Sequence, residues 1–157
     1  MDGLTLYPWA CGFKAEVDPP FPGIGRMTAV SDSPTALGVA ATLGHRVCNV
    51  PEMSDRFPVA RRALREGNVF LHIDEVDEYS HRKDCRRKIA VLEETDALMR
   101  EYFDDNPRMV FFADHGTSCV TGEHILTAVP FRTNVPIGDG KHFALPEVVP
   151  KVLGAGR

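Results

Sequence analysis

Short apolar runs separated by helical stretches constrain this chain more than any other feature. Residues 27–30, 47–50, 69–73, 109–113 and 128–132 are rich in Val, Ile, Leu, Met and Phe, and each reads as a short strand. The runs at 69–73 and 109–113 are continuous enough to predict buried strands. Between the first two runs, Ser33-Pro34 supplies a capping hydroxyl and a proline at the first helical position. The helix they open carries Leu37, Ala40, Ala41 and Leu43 and stops at Gly44. A second helix is predicted over 55–66, ending at Gly67-Asn68. A third and longer one is predicted over 84–103, capped by Asp84, with Cys85, Ile89, Leu92, Met99 and Phe103 along one side. Asn106-Pro107 then breaks the chain. Strands alternating with helices predict an α/β fold: a mostly parallel sheet with helices on both faces.

This pattern occupies one domain over 27–157. Residues 1–26 read as a connecting segment with one short strand at 4–7. Asp18-Pro19-Pro20-Phe21-Pro22-Gly23 cannot sustain a helix or an interior strand. The tail from Pro136 on is loop-like with a short final helix.

Composition limits the function classes. With 157 residues, 43% of them hydrophobic, the chain buries one core. A net charge of −4 lacks the basic excess of a nucleic-acid binder, so no nucleic-acid partner is expected. No apolar run approaches the roughly 20 residues that span a bilayer, so no membrane partner is expected either. The N-terminus carries Asp2 and no basic region, unlike a signal peptide. Cys11, Cys48, Cys85 and Cys119 form no CxxC pair, which excludes a zinc knuckle and predicts reduced, mostly buried thiols in a cytoplasmic protein.

In parallel sheets ligands bind beyond the carboxyl ends of the strands, and two of these ends are rich in acids and histidines. After the run at 69–73 comes Asp74-Glu75-Val76-Asp77-Glu78-Tyr79-Ser80-His81. After the run at 109–113 comes Asp114-His115-Gly116-Thr117-Ser118-Cys119, with His124 ten residues beyond Asp114. Carboxylate oxygen and imidazole nitrogen together suit divalent ions such as zinc or manganese. An acid four residues before a histidine also fits two solvated side chains, and Asp-His at a strand end also fits a turn cap. Two such clusters at one sheet edge favour the metal reading.

Three segments, taken in order, resemble archaeal-type cofactor-independent phosphoglycerate mutases of the alkaline phosphatase superfamily. Residues 77–84 resemble the family's DEAGHDGD, residues 114–119 its DHSTPC, and His124 through Pro130 its HSGDPVP. The match runs over roughly residues 28–134. It implies an alkaline-phosphatase-like fold, truncated to the C-terminal part, and two divalent metals, Mn2+ or Zn2+. Asp77, His81 and His124 would hold one metal; Asp114 and His115 would supply two ligands of the second. In the family the remaining ligands, an aspartate and the nucleophilic serine, lie near the start of the enzyme, so no catalytic nucleophile is expected here. Asp84 would stand behind the site as a helix cap or a second-layer group.

The chain departs from the family in several places. Ser80 replaces a glycine, Gly116 a serine and Ser118 a proline, and Leu37 stands where a lysine assists the phosphoryl group. The arginine-rich insertion that grips substrate is missing. The expected function is therefore a metal-binding, phosphoglycerate-mutase-like domain acting on a phosphorylated small molecule. Its expected partner is a complementary N-terminal half or a second copy of itself. The alternative is a non-catalytic metal-binding remnant or interaction domain. The basic run 81–88 fits either a lure for phosphate or, more simply, a solvated helix face, as do Arg61, Arg62 and Arg65. His45, His72 and His142 are expected in ordinary structural or surface roles. Trp9 is expected either to pack where the family's missing half would lie or simply to cover the core.

Overall fold

A computed structural model describes residues 25–105, 107–137 and 143–154. The strand expected at 4–7, Trp9, Cys11 and His142 lie outside the described residues, as does nearly all of the connecting segment. Three strands form a parallel sheet: β1 (Met27–Ser31) lies between β2 (Arg46–Asn49) and β3 (Asn68–Leu71), with Val30 opposite both Cys48 and Leu71. The helix α1 (Pro34–Thr42) joins β1 to β2, and α2 (Met53–Ala63) joins β2 to β3. The two connections run in opposite directions along the sheet, the first from β1 to its neighbour β2 and the second back over β1 to β3. Right-handed crossovers therefore place α1 and α2 on opposite faces of the sheet.

The helix starts follow the local chemistry. Ser33 caps α1 by accepting a hydrogen bond from the Ala36 amide, with Pro34 in the first turn. Asp84 caps the long helix α4 (Cys85–Tyr102) by accepting from the Arg87 amide. The core lies between the sheet and the helices α2 and α4. Val30 of β1 packs with Met53, Phe57 and Ala60 of α2, Val91 of α4, and Phe103 just beyond it. The Phe57 and Phe103 rings meet at 6.4 Å.

Two expectations about burial fail. The inward face of α4 is Val91 and Thr95, with Leu98, Met99 and Tyr102 alongside, whereas Ile89 and Leu92 are exposed. Apolar residues ring this helix too widely for spacing alone to choose the face; α2 chooses it by packing against Val91. The strands predicted to be buried are covered on one face only: Val69 and Leu71 of β3 pack on the core, whereas Phe70 of β3 and Phe111 of β4 (Val110–Phe112) are exposed. β3 is an outer strand of its sheet, and β4 belongs to a different one.

Beyond α4 the parallel pattern ends. β4 pairs antiparallel with β7 (Phe131–Thr133), which falls later than the predicted run at 128–132. Between them β5 (Gly116–Thr117) pairs antiparallel with β6 (His124–Ile125). Parallel pairing needs a crossover of a dozen or more residues, and the segment from 118 to 123 is too short for one. The tail forms α5 (Leu145–Gly154), which buries Val148 and Val152 and packs on β4.

Among the described residues one charged side chain is fully buried. Arg56, on α2, donates from Nε to the Val50 carbonyl and from Nη2 to the Pro51 carbonyl, each at 2.9 Å. Its Nη1 donates to Glu75 Oε2 at 3.0 Å and reaches the His72 carbonyl at 3.4 Å. Nη2 also stands 2.7 Å from both Asp32 Oδ1 and Glu75 Oε1, and Asp74 lies 3.8 Å from Nη1. The Asp32 contact is ionic rather than hydrogen-bonded, since that oxygen has no hydrogen-bond partner. Arg56 thus ties together the segments leaving all three parallel strands.

Candidate metal centre

The segment after β3 forms a short helix, α3 (Glu75–His81). Glu75, Asp77 and Glu78 lie in its first turn, where the helix dipole favours acids, and His81 in its last, where it favours a cation. Residues four apart share a helix face, which brings Asp77 Oδ2 to 3.2 Å from His81 Nε2. The helix closes through Lys83, whose φ of 59° is uncommon for a side chain with a Cβ.

The second cluster leaves β4 as Asp114-His115 and enters the β5–β6 hairpin. The two clusters do not share one sheet edge as expected; α3 packs directly against β5. His124 then lies with its Nε2 3.1 Å from His81 Nε2 and 3.9 Å from Asp77 Oδ1. The His115 ring stacks on His124 at 4.1 Å, and its Nε2 is 3.6 Å from Asp114 Oδ2. Asp77, His115 and His124 each offer a ligand atom within 4.8 Å of the others. His81 joins this group through its contacts with Asp77 and His124, and Asp114 is placed only beside His115.

The hairpin is shaped by two glycines. A Cβ on Gly116 would sit 2.8 Å from Thr127 Cγ2 and 2.9 Å from Ile125 Cγ1, so the serine found here in the family would not fit without movement. Gly122 has a φ of 76°, and a Cβ there would meet the His81 carbonyl at 2.9 Å. Its own carbonyl accepts from His81 Nδ1 at 2.8 Å. A carbonyl can only accept, so Nδ1 carries the proton and Nε2 keeps its lone pair for a metal.

Residues 36–140 match the profile of the Metalloenzyme superfamily, which is two thirds of the chain. The chain belongs to the Metalloenzyme superfamily. Among its similar proteins is a 2,3-bisphosphoglycerate-independent phosphoglycerate mutase of Methanocorpusculum labreanum, 32% identical over 88 residues, which cover 55% of this chain and 21% of that protein. Another, from Pyrobaculum neutrophilum and of the same description, is 30% identical over 117 residues, covering 68% of this chain and 28% of the relative. The chain thus spans well under a third of the length of these relatives. No solved structure matches it.

The donor set fits a divalent ion of the kind this superfamily implies. Metal–ligand bonds of about 2.0–2.2 Å separate neighbouring ligand atoms by roughly 3.0–3.5 Å, and the Asp77–His81 and His81–His124 contacts fall in that range. A second carboxylate group, Asp32, Asp74 and Glu75, also brings its oxygens within 4.8 Å. The buried Arg56 guanidinium is against all three, so this group is an ion-pair cluster. Burial, then the charge of Asp32, pushes the Asp74 carboxyl above its ordinary value.

Several side chains around the centre carry no sequence signal. Arg56 sits in a stretch of α2 whose other arginines look like a solvated face. Lys88, in the basic run read as solvated, donates from Nζ to the Thr117 carbonyl at 2.7 Å. Asp84 acts as the expected helix cap. His45 and His72 take the structural roles expected: His45 Nδ1 accepts from the Met27 amide, and His72 Nδ1 lies 3.0 Å from Ser31 Oγ.

The expectation of reduced thiols is overturned. Cys85, at the start of α4, forms a disulfide with Cys119 in the β5–β6 connection, and Cys48 is free. No spacing rule joins two cysteines 34 residues apart; the packing of α3 and α4 on the hairpin does. The bond bears on the cytoplasmic expectation too, because cytosolic thiols are kept reduced. Among the described residues no helix is long and apolar enough to cross a membrane.

Proposed function

We propose that this chain is the divalent-metal-binding part of a phosphoglycerate-mutase-like phosphoryl-transfer enzyme, with Mn2+ or Zn2+ as its ion and a phosphorylated small molecule as its substrate. The observation that carries this reading is that His81 Nε2 approaches both Asp77 Oδ2 and His124 Nε2, while Asp77, His115 and His124 each offer a ligand atom within 4.8 Å of the others. Asp77, His81 and His124 hold one ion, and Asp114 with His115 contributes to a second. A bound divalent ion supplies Lewis-acid neutralisation of charge on phosphoryl oxygens. Gly122 orients His81 by accepting a hydrogen bond from its Nδ1–H. Thr117, the hydroxyl nearest the ligands, donates to Asp77 and is not assigned as a nucleophile.

Equilibrium dialysis of the full chain against Mn2+ or Zn2+ tests the reading. One tight site is expected, weakened at least tenfold by His81→Ala and by His124→Ala. No binding, or two equally tight sites, would count against it.

A second reading, an interaction domain, draws support from the exposed apolar side chains Val120, Ile125 and Leu126 on and beside the β5–β6 hairpin. The outer strands β2 and β3 also expose Val47 and Phe70. Exposed strand edges with apolar residues invite pairing with another chain. The proposed partner is a second copy or a complementary N-terminal half. Sedimentation velocity is expected to show self-association of the purified chain, and a monomer at high concentration would argue for a closed, independent domain.

A further inference from the structure

We infer that Thr117 is a positioning residue that fixes the His115 tautomer and assigns the ligand atoms to two separate ions. The inference rests on the metal-binding reading above. Thr117 is buried, and its hydroxyl makes two contacts: Oγ1 donates to Asp77 Oδ1 at 2.5 Å and lies 3.1 Å from His115 Nδ1. A hydroxyl has one proton to give, and a carboxylate can only accept. The proton therefore goes to Asp77, and the His115 contact works only if Nδ1–H donates to Oγ1. His115 is then the Nδ1–H tautomer, with its lone pair on Nε2, the nitrogen facing Asp114.

The consequence is a sorting of ligands. His115 Nδ1 stands 4.0 Å from Asp77 Oδ1, so without the Thr117 hydroxyl Asp77, His115 and His124 would be free to chelate one ion together. With it, Nδ1 and Oδ1 are both engaged. Asp77 presents Oδ2 toward His81, and His115 presents Nε2 toward Asp114. The backbone at 117 is itself held, by Lys88 Nζ on the Thr117 carbonyl and by the Cys85–Cys119 bond two residues on. Thr117 thus takes on the hydrogen-bonding role that outer groups play behind ligating histidines.

The test uses the full chain, oxidised and metal-free, and then Zn2+ alone. Imidazole 15N shifts are expected to show His115 as the Nδ1–H tautomer in the wild type and in Thr117→Ser, but not in Thr117→Val, which keeps the shape and loses the hydroxyl. Zn2+ affinity is expected to fall about 10- to 100-fold in Thr117→Val and to stay within about threefold of wild type in Thr117→Ser. An Nε2–H tautomer in the wild type overturns the inference whatever the variants do. So does wild-type affinity in Thr117→Val, or failure of a folded Thr117→Ser to recover it. If the wild type binds no Zn2+, the proposed function fails, and the tautomer measurement still decides the role of Thr117.

Discussion

Replacing Arg56 with Met is expected to lower the unfolding free energy by about 3–5 kcal/mol. The guanidinium is fully buried and faces Asp32, Asp74 and Glu75. Removing it leaves three carboxylates together with no counter-charge, and strips the Val50 and Pro51 carbonyls of a donor. These carboxylates are only partly exposed, so solvent compensates their unpaired charge incompletely. Arg56→Lys is expected to rescue little. An ammonium is a single point of donation, whereas Arg56 uses Nε, Nη1 and Nη2 toward different partners. Adding Glu75→Gln to Arg56→Met is expected to recover part of the loss by removing one of the stranded charges. Urea midpoints at fixed slope read all three variants, and an unchanged midpoint in Arg56→Met would remove the cluster from any account of stability.

The Cys85–Cys119 bond gives the second large effect. It closes a loop of 34 residues, and the chain-entropy cost of leaving such a loop open corresponds to about 3–4 kcal/mol. The loop contains α4 and β4, and its ends lie beside His81 and Thr117. Cys85→Ser is therefore expected to lower the urea midpoint substantially, and a dithiol reductant is expected to do the same to the wild type. The reductant should leave Cys85→Ser unmoved, which separates the crosslink from any general effect of the reagent. A wild type indifferent to reductant, or one whose mass shows every thiol free, would contradict the pairing.

These two predictions concern residues about which the sequence says little, while much else follows from it directly. Period and punctuation decide local structure: Ser33-Pro34 starts α1, Gly44 ends it, and Asp84 caps α4, because capping satisfies backbone groups within a few residues of the cap. The alternation of strands and helices up to residue 71 likewise suffices for a parallel sheet with helices on both faces. The residue types after the third and fourth apolar runs point toward a metal site, and the family-like segments around them nominate Asp77, His81, Asp114, His115 and His124 as its ligands. What brings Asp77, His81, His115 and His124 together is tertiary. The sequence reading put both clusters on one sheet edge, but β4 pairs with β7 in another sheet, and the clusters meet because α3 lies on the β5–β6 hairpin. The inward face of α4, the pairing of Cys85 with Cys119, the burial of Arg56 and the single proton of Thr117 depend on what stands opposite each group. Local sequence carries propensity and residue type, whereas burial and hydrogen-bond partners are properties of pairs far apart in the chain. Only the packed structure decides those.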